Sequence, residues 1–329
     1  MINFTKDSAR IVLITGAAGF IGSQLTDVLL AQGCTVIGVD NFSRGTEQNL
    51  TLARRHPAFE LHRIDLAEEA AVLGELTTRL RGRPISEVWH LAANSDIPAG
   101  VRDPRVDYRN TFQTTFNTLL LMRELKIPRI AFASTSAVYG VHSGLLRETT
   151  GPLLPISNYG AMKLASEGLI SAAVESYLEQ AHIFRFPNVL GPRLTHGIIY
   201  DFLNKLKRDP SELEVLGDGT QQKPYLHVKN LIEAMLFIRE NARDRVNLFN
   251  IGPEDEGATV AEIAKSVLAG VTSSAPIRYT GGARGWVGDV PRFCYSVEKL
   301  AQLGWRTSST SLEVVRRTVA EALAPEEPA

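Results

Sequence analysis

The strongest constraint on this chain is a repeated alternation. Through Phe186, short unbroken apolar runs take turns with longer amphipathic ones. The runs at 11–14, 35–39, 88–92, 129–133 and 181–186 read as strands, with the more polar 59–64 as a weaker one. The stretches at 20–32, 67–81, 106–125 and 158–178 read as helices. An apolar run that does not alternate suits a strand buried on both faces, as in a parallel sheet. Strands and helices at this spacing form βαβ units, and right-handed crossovers put helices on both faces. The expected fold class is α/β, a doubly wound parallel sheet of Rossmann type, whose ligands lie at the carboxyl ends of the strands.

Past Asn188 the pattern loosens. Gly191-Pro192, Asp209-Pro210, Gly217-Asp218-Gly219 and Gly281-Gly282 are turn signals, with helical patterns at 200–207, 228–239, 260–269 and 312–323. A smaller C-terminal α/β lobe for substrate is expected. The division is 1–187 and 188–329, with segments near 225–250 returning to the first domain. No internal repeat is present, and 325–329 reads as a disordered tail.

The first strand runs into Gly16, Gly19 and Gly22, spaced G-x-x-G-x-x-G, with Ala18, Phe20 and Ile21 between them. Gly16 suits a tight turn, Gly19 a close approach of backbone to a pyrophosphate, and Gly22 the packing of helix on sheet. Phosphate charge then falls on a helix N-terminus with its free N–H groups. Glycines at such a turn can also serve the turn alone. Asp40 adds context. It ends the second strand about twenty residues on, where a carboxylate accepts the ribose hydroxyls of a dinucleotide. A carboxylate there repels a 2′-phosphate, so NAD is favoured over NADP. Arg44 is the counter-signal, since an arginine can hold that phosphate. Asn41 and Leu66 join the expected cofactor contacts. Asp65, ending the third strand, is placed to meet the adenine or to cap the helix after it.

Bulk composition removes other classes. A net charge of −1, 44% apolar and 22% charged residues describe an ordinary globular chain without the basic excess of a nucleic-acid or anionic-membrane binder. Residues 1–10 are polar, without the apolar core of a signal peptide, and no stretch has the length of a membrane span. Cys34 and Cys294 suggest neither a disulfide framework nor a zinc site, and the histidines show no metal spacing. A cytoplasmic, metal-free protein is expected.

Tyr159 and Lys163 stand four apart and share a face if helical. A phenol titrates near pH 10, and a close cation lowers that by stabilising the phenolate. Ser134 to Gly140, with Thr135 and Ser136, follow the fifth strand and offer hydroxyls at its carboxyl end. Each feature has a plain structural alternative: a packed Tyr with a solvated Lys, and a capped turn.

Together the motifs resemble a family. Thr15 to Gly22, His90 to Ala93, Ser134 to Gly140, Tyr159 to Lys163 and Asn188 to Arg193 stand in the order and spacing of the extended short-chain dehydrogenase/reductases, specifically the nucleotide-sugar epimerase/dehydratases. The resemblance covers nearly the whole chain. It implies Thr135, Tyr159 and Lys163 as the catalytic triad, with NAD as the cofactor. Leu91, Ala92 and Ala93 match the stretch lining the cofactor, and Pro187 is assigned with them. Ser136, Asn188, Lys223, Arg284 and Asp289 are assigned to a UDP-sugar substrate. Lys223 stands where the family has a diphosphate-binding arginine, and keeps the charge without the fork. Trp286 replaces a second family arginine, and Arg284 is the residue expected to stand in for it. Gln113 replaces a common glycine.

The resemblance also bears on the reaction. Family dehydratases carry an Asp-Glu pair after the catalytic threonine, and decarboxylases a glutamate in the second place. Here those places hold Ser136 and Ala137. A 4-epimerase needs neither acid, so inversion of C4 of a UDP-hexose is the expected reaction. Other chemistry on the same fold, or a non-catalytic NAD-binding role, stays open. Phe293 falls where epimerases limit space near the sugar C2, and equally suits core packing. Arg193 and His196 fall in the segment expected near the nucleotide. By resemblance, the helices at 106–125 and 158–178 pair two subunits as a four-helix bundle.

Overall fold

A computed structural model describes residues 10–142, 144–282, 290 and 292–324. Arg284, Trp286 and Asp289, expected near the substrate, lie outside the described residues, as does the 325–329 tail. The chain divides into two compact units. The first comprises 1–134, 157–184 and 242–248; the second comprises 135–156, 185–241 and 249–329. The chain passes between the units after residues 134, 156, 184, 241 and 248, and of the stretch near 225–250 it is 242–248 that groups with the first unit.

The first unit is built on seven strands: β1 Ile11–Thr15, β2 Thr35–Asp40, β3 Phe59–Arg63, β4 Ile85–His90, β5 Arg129–Ala133, β6 Gln180–Arg185 and β7 Val246–Asn250. Their order is β7-β6-β5-β4-β1-β2-β3, and the pairs β1–β2, β1–β4, β2–β3, β4–β5 and β5–β6 are parallel. The order reverses at β1, which makes the end of β1 the switch point where a doubly wound sheet binds ligands. The central strands β1, β2 and β5 run as largely apolar, buried stretches because both faces are covered, whereas the edge strand β3 carries Glu60, His62 and Arg63. Leu13, Ile37, Val88, Ile130, Phe132 and Ile183 form one buried core with helical residues such as Met122, Ile170 and Val174.

Three helices matter for the site: α1 Phe20–Ala31, α2 Thr114–Leu125 and α3 Asn158–Ser176. The expected helix at 106–125 is continuous in outline, but its middle, Tyr108–Gln113, is a wider π-helical turn ending at Gln113. Such turns insert one residue into the helical ladder, often at functional sites. The expected helix at 67–81 likewise contains a π segment, Ala71–Leu76. A short helix over Ile97–Arg102, capped by Asp96, occupies a stretch with no helical signal.

The second unit holds the helices Ile198–Arg208, Val228–Asn241, Val260–Gly270, Glu298–Leu303 and Ser311–Leu323. Short paired strands link them: Asn188–Leu190 with Tyr225–His227, Leu213–Val215 with Ile277–Tyr279, and Gln222–Lys223 with Ala258–Thr259. No described helix is long and apolar enough to cross a membrane.

Candidate active site

The glycine loop closes tightly on its neighbours. Gly16 has φ +71, a left-handed conformation, and a Cβ there would come within 2.8 Å of the Ala92 nitrogen. A Cβ at Gly22 would lie 2.0 Å from the Gly16 carbonyl oxygen. Gly19 differs: its Cβ would meet one atom within 4 Å, the Gly16 oxygen at 3.1 Å, and otherwise enter open space. Gly19 is also the N-cap of α1, and no side chain caps that helix. The first-turn N–H groups of α1 are therefore offered outward beside a glycine, the arrangement a pyrophosphate needs. Ala18 is buried and Phe20 and Ile21 half-buried.

Asp40 is buried at the end of β2 and is held by two backbone donors. Ala18 N donates to one carboxylate oxygen at 2.9 Å and Phe42 N to the other at 2.7 Å. Burial pushes its carboxyl above the usual range, and the Phe42 and Ala18 hydrogen bonds oppose that. Each oxygen keeps a lone pair for a ribose hydroxyl. Arg44 pairs with Asp96 at 3.5 Å, both partly exposed. Asn41 accepts from Ser43 N at 2.9 Å. Asp65 closes the turn ahead of the next helix rather than capping that helix, accepting from Ala67 N at 3.0 Å and from Arg109 at 2.9 Å. Burial alone would raise its carboxyl, but these donors outweigh it and hold it low. Leu66 is buried, and its carbonyl accepts from Asn117 at 2.8 Å. Leu91, Ala92 and Ala93 are half-buried beyond β4, with Leu91 N and Ala92 N bonded to the Thr15 hydroxyl.

Tyr159 and Lys163 lie in α3, whose start is fixed by Ser157 accepting from Gly160 N at 3.1 Å. The helical spacing holds: the Lys163 Nζ is 6.0 Å from the Tyr159 ring centre. Lys163 is not the solvated lysine of the plain alternative. It is 2% exposed, donates to the Ala133 carbonyl at 2.6 Å, and lies 4.6 Å from the Phe132 ring centre. Burial pushes its ammonium down to about 7, against the opposing pull of Glu167.

Residues to which the sequence assigned no individual role complete this part. His90 is fully buried; its Nδ1 meets the Thr15 hydroxyl at 2.7 Å and its Nε2 the Thr115 hydroxyl at 3.0 Å. Burial, and then the charge of Lys163, push the imidazole down to about 3, so it is neutral. Asn49 donates to the Ala18 carbonyl at 2.8 Å and backs the glycine loop. Glu167, one turn beyond Lys163, accepts from Ser134 at 2.5 Å. For His90 a polar residue inside an apolar run was the available signal, whereas Asn49 sits in a polar stretch that offered none.

In the second unit, Thr135 is extended and buried, and caps the 3-10 turn Ser136–Tyr139 by accepting from Ala137 N at 3.2 Å. Its own hydroxyl proton remains for another acceptor. Ser136 and Ala137 are half-buried. Pro187 is buried, while Asn188 is exposed and opposite Tyr225 in the ladder. Lys223 is half-buried. Arg193 takes a φ of +67 and His196 is exposed. Phe293 is half-buried and packs edge-on against Tyr295, ring centres 5.5 Å apart. Among the described residues, no group of three or more His, Cys, Asp or Glu side chains is placed to hold a metal ion.

Comparison with known proteins agrees with this chemistry. Residues 12–252 match the family model described as the NAD dependent epimerase/dehydratase family. A putative UDP-glucose 4-epimerase of Methanocaldococcus jannaschii is 28% identical over 316 residues, covering 94% of this chain and 97% of that one. A crystal structure of a UDP-galactose 4-epimerase superposes with a TM-score of 0.82 at 34% identity, covering 95% of this chain and 98% of the other. UDP-glucuronic acid decarboxylase 1 of Arabidopsis thaliana is 30% identical over 277 residues, covering 82% of this chain and 60% of the plant protein.

Proposed function

The chain belongs to the NAD dependent epimerase/dehydratase family, and from that premise we propose that it inverts C4 of a UDP-hexose through a transient 4-keto sugar. The observation that carries the choice of reaction is Ala137. Dehydration and decarboxylation on this fold call for a carboxylate two places after the catalytic threonine, and a methyl group cannot move a proton. Epimerisation asks only for a base, a cation to tune it and a hydroxyl to hold the sugar oxygen.

Gly16, Ala18, Gly19, Phe20, Ile21, Gly22, Asp40, Asn41, Asp65, Leu66, Leu91, Ala92, Ala93 and Pro187 are the proposed cofactor contacts. The chemistry that NAD supplies when bound is reversible acceptance of hydride from the sugar carbon. Tyr159, as phenolate, takes the proton of the 4-hydroxyl and later returns it. Lys163 stabilises that phenolate by charge and is assigned to the nicotinamide ribose as well. Thr135 donates its hydroxyl to the reacting oxygen. Ser136, Asn188, Lys223, Arg284 and Asp289 are assigned to the UDP-sugar. With zero net redox, the cofactor stays bound through turnover.

The test is product analysis on UDP-glucose, UDP-N-acetylglucosamine and UDP-glucuronate without added reductant. Formation of a 4-epimer supports the reading. Carbon dioxide and a UDP-pentose from UDP-glucuronate would favour the decarboxylase branch represented by the plant relative. We further propose a homodimer paired through the helices at 104–125 and 158–176. Tyr108 and Phe116 are exposed on the first of these, at 53% and 41%. Light scattering at micromolar protein tests it, and a monomer mass would refute it.

A further inference from the structure

We propose that Glu167 is a positioning residue for the Tyr159–Lys163 pair: anchored by Ser134, its carboxylate is the fixed counter-charge that keeps the buried Lys163 ammonium protonated. This rests on the catalytic assignment of Tyr159 and Lys163 above.

Tyr159, Lys163 and Glu167 follow one another at four-residue steps of α3 and so form one stripe of the helix. That stripe grips the end of β5 at two successive residues. Lys163 donates to the Ala133 carbonyl at 2.6 Å, and Glu167 accepts from the Ser134 hydroxyl at 2.5 Å. Ser134 is 1% exposed, Lys163 2% and Glu167 7%.

An ammonium taken this far from water sheds its proton unless an anion is held near it. The described contacts of Lys163 come from three elements. β5 brings the Ala133 carbonyl and the Phe132 ring. β4 brings His90, whose two nitrogens are engaged by Thr15 and Thr115 and which is neutral. Its own helix brings the Tyr159 phenol and Glu167. Among these described groups Glu167 is the one carboxylate. A neutral Lys163 would leave the phenolate of Tyr159 without its cation. Anchoring matters because a loose carboxylate would turn toward water; the Ser134 hydroxyl holds it inside.

A purely structural role for Glu167 would need only an acceptor for Ser134, and a glutamine amide supplies one. Glu167→Gln therefore separates charge from packing. The measurement is a nitrogen-15 lysine NMR titration of the whole protein, with Lys163→Met assigning the signal. Glu167→Gln is expected to lower the Lys163 midpoint by about one pH unit or more, a tenfold loss of proton affinity. The alkaline limb of kcat should move down with it while KM changes little, and Glu167→Asp should restore part of the shift. If the Gln variant does not fold, Ser134→Ala/Glu167→Met removes both partners and orphans neither, so the same titration applies. A Lys163 midpoint equal to wild type in either folded variant overturns the proposal. Inactivity of the wild type on every UDP-hexose would refute the proposed function and leave the titration result standing. An active epimerase with an unmoved Lys163 would refute this inference alone.

Discussion

The Thr15 hydroxyl and the His90 Nδ1 lie 2.7 Å apart in the first unit's core, directly beneath the glycine loop. Thr15 already accepts from Leu91 N and Ala92 N, so its proton goes to Nδ1. The other nitrogen then carries the hydrogen and donates to Thr115, which in turn donates to the Thr111 carbonyl at 2.8 Å. One neutral imidazole thus ties the end of β1 to the start of α2. Ser166 of α3 joins at the Thr115 hydroxyl, 3.2 Å away.

Acid stability should report this imidazole. Burial and the charge of Lys163 hold its folded pKa down at about 3, below the usual 6.5 of a histidine. Between those values the unfolded chain binds the extra proton, so stability falls as pH drops below 6.5. The slope from this group is about 1.4 kcal/mol per pH unit at most. Its contribution is complete above pH 6.5. Denaturant midpoints measured from pH 7 to pH 4 should show a shallower fall in His90→Phe than in wild type. The variant should also lose about 2 kcal/mol at pH 7, because the Thr15 hydroxyl proton loses its acceptor and the Thr115 oxygen loses a donor. An unchanged acid slope would contradict the neutral, doubly bonded histidine.

The three glycines should fail in different ways. Gly22→Ala drives a methyl into the Gly16 carbonyl and should cost about 1–3 kcal/mol of stability. Gly19→Val meets one close neighbour, the Gly16 carbonyl oxygen 3.1 Å from its Cβ, and should cost about 1 kcal/mol of stability while weakening NAD binding about tenfold or more. Thermal melts and NAD titrations on the two variants separate a packing glycine from a phosphate-facing one.

Cofactor choice should turn on Asp40 and Arg44 together. The Arg44–Asp96 pair is partly exposed, so it contributes roughly 0–1 kcal/mol and holds Arg44 weakly. Asp40→Ala should weaken NAD binding and bring NAD and NADP affinities close together, with Arg44 turning to the 2′-phosphate. Arg44→Ala in that background should then remove the NADP gain. Equilibrium titration with both dinucleotides checks this, and an Asp40→Ala variant still strongly selective for NAD would contradict it.

Local signals carried much of the fold and some of the site. Strands β2 and β5 were legible because each is an unbroken apolar run between turn residues. β4 began earlier than its apolar run, at Ile85, because Ser86 and Glu87 are polar yet engaged: Ser86 bonds the Ile11 carbonyl, and Glu87 takes Trp89 and Arg10. It ended earlier, at His90, because Leu91 and Ala92 turn their N–H groups to Thr15. β7 alternates polar and apolar residues and hid as a loop. The short paired strands of the second unit depend on partners far away in sequence, which no local period reveals. The same distinction runs through the site. Gly16, Gly19, Asp40, Tyr159 and Lys163 sit in local patterns, whereas His90 and Glu167 acquire their roles from Thr15, Thr115 and Ser134, distant in the chain.

The most direct test of the account is turnover of UDP-glucose by the purified protein with no reductant added, followed by proton NMR of the sugar. UDP-galactose should accumulate to a constant ratio with UDP-glucose and no net change in NADH. Tyr159→Phe should lose about 10²–10⁴-fold in rate while still binding NAD. Failure to convert any UDP-hexose, or full activity in the Phe variant, would contradict the account.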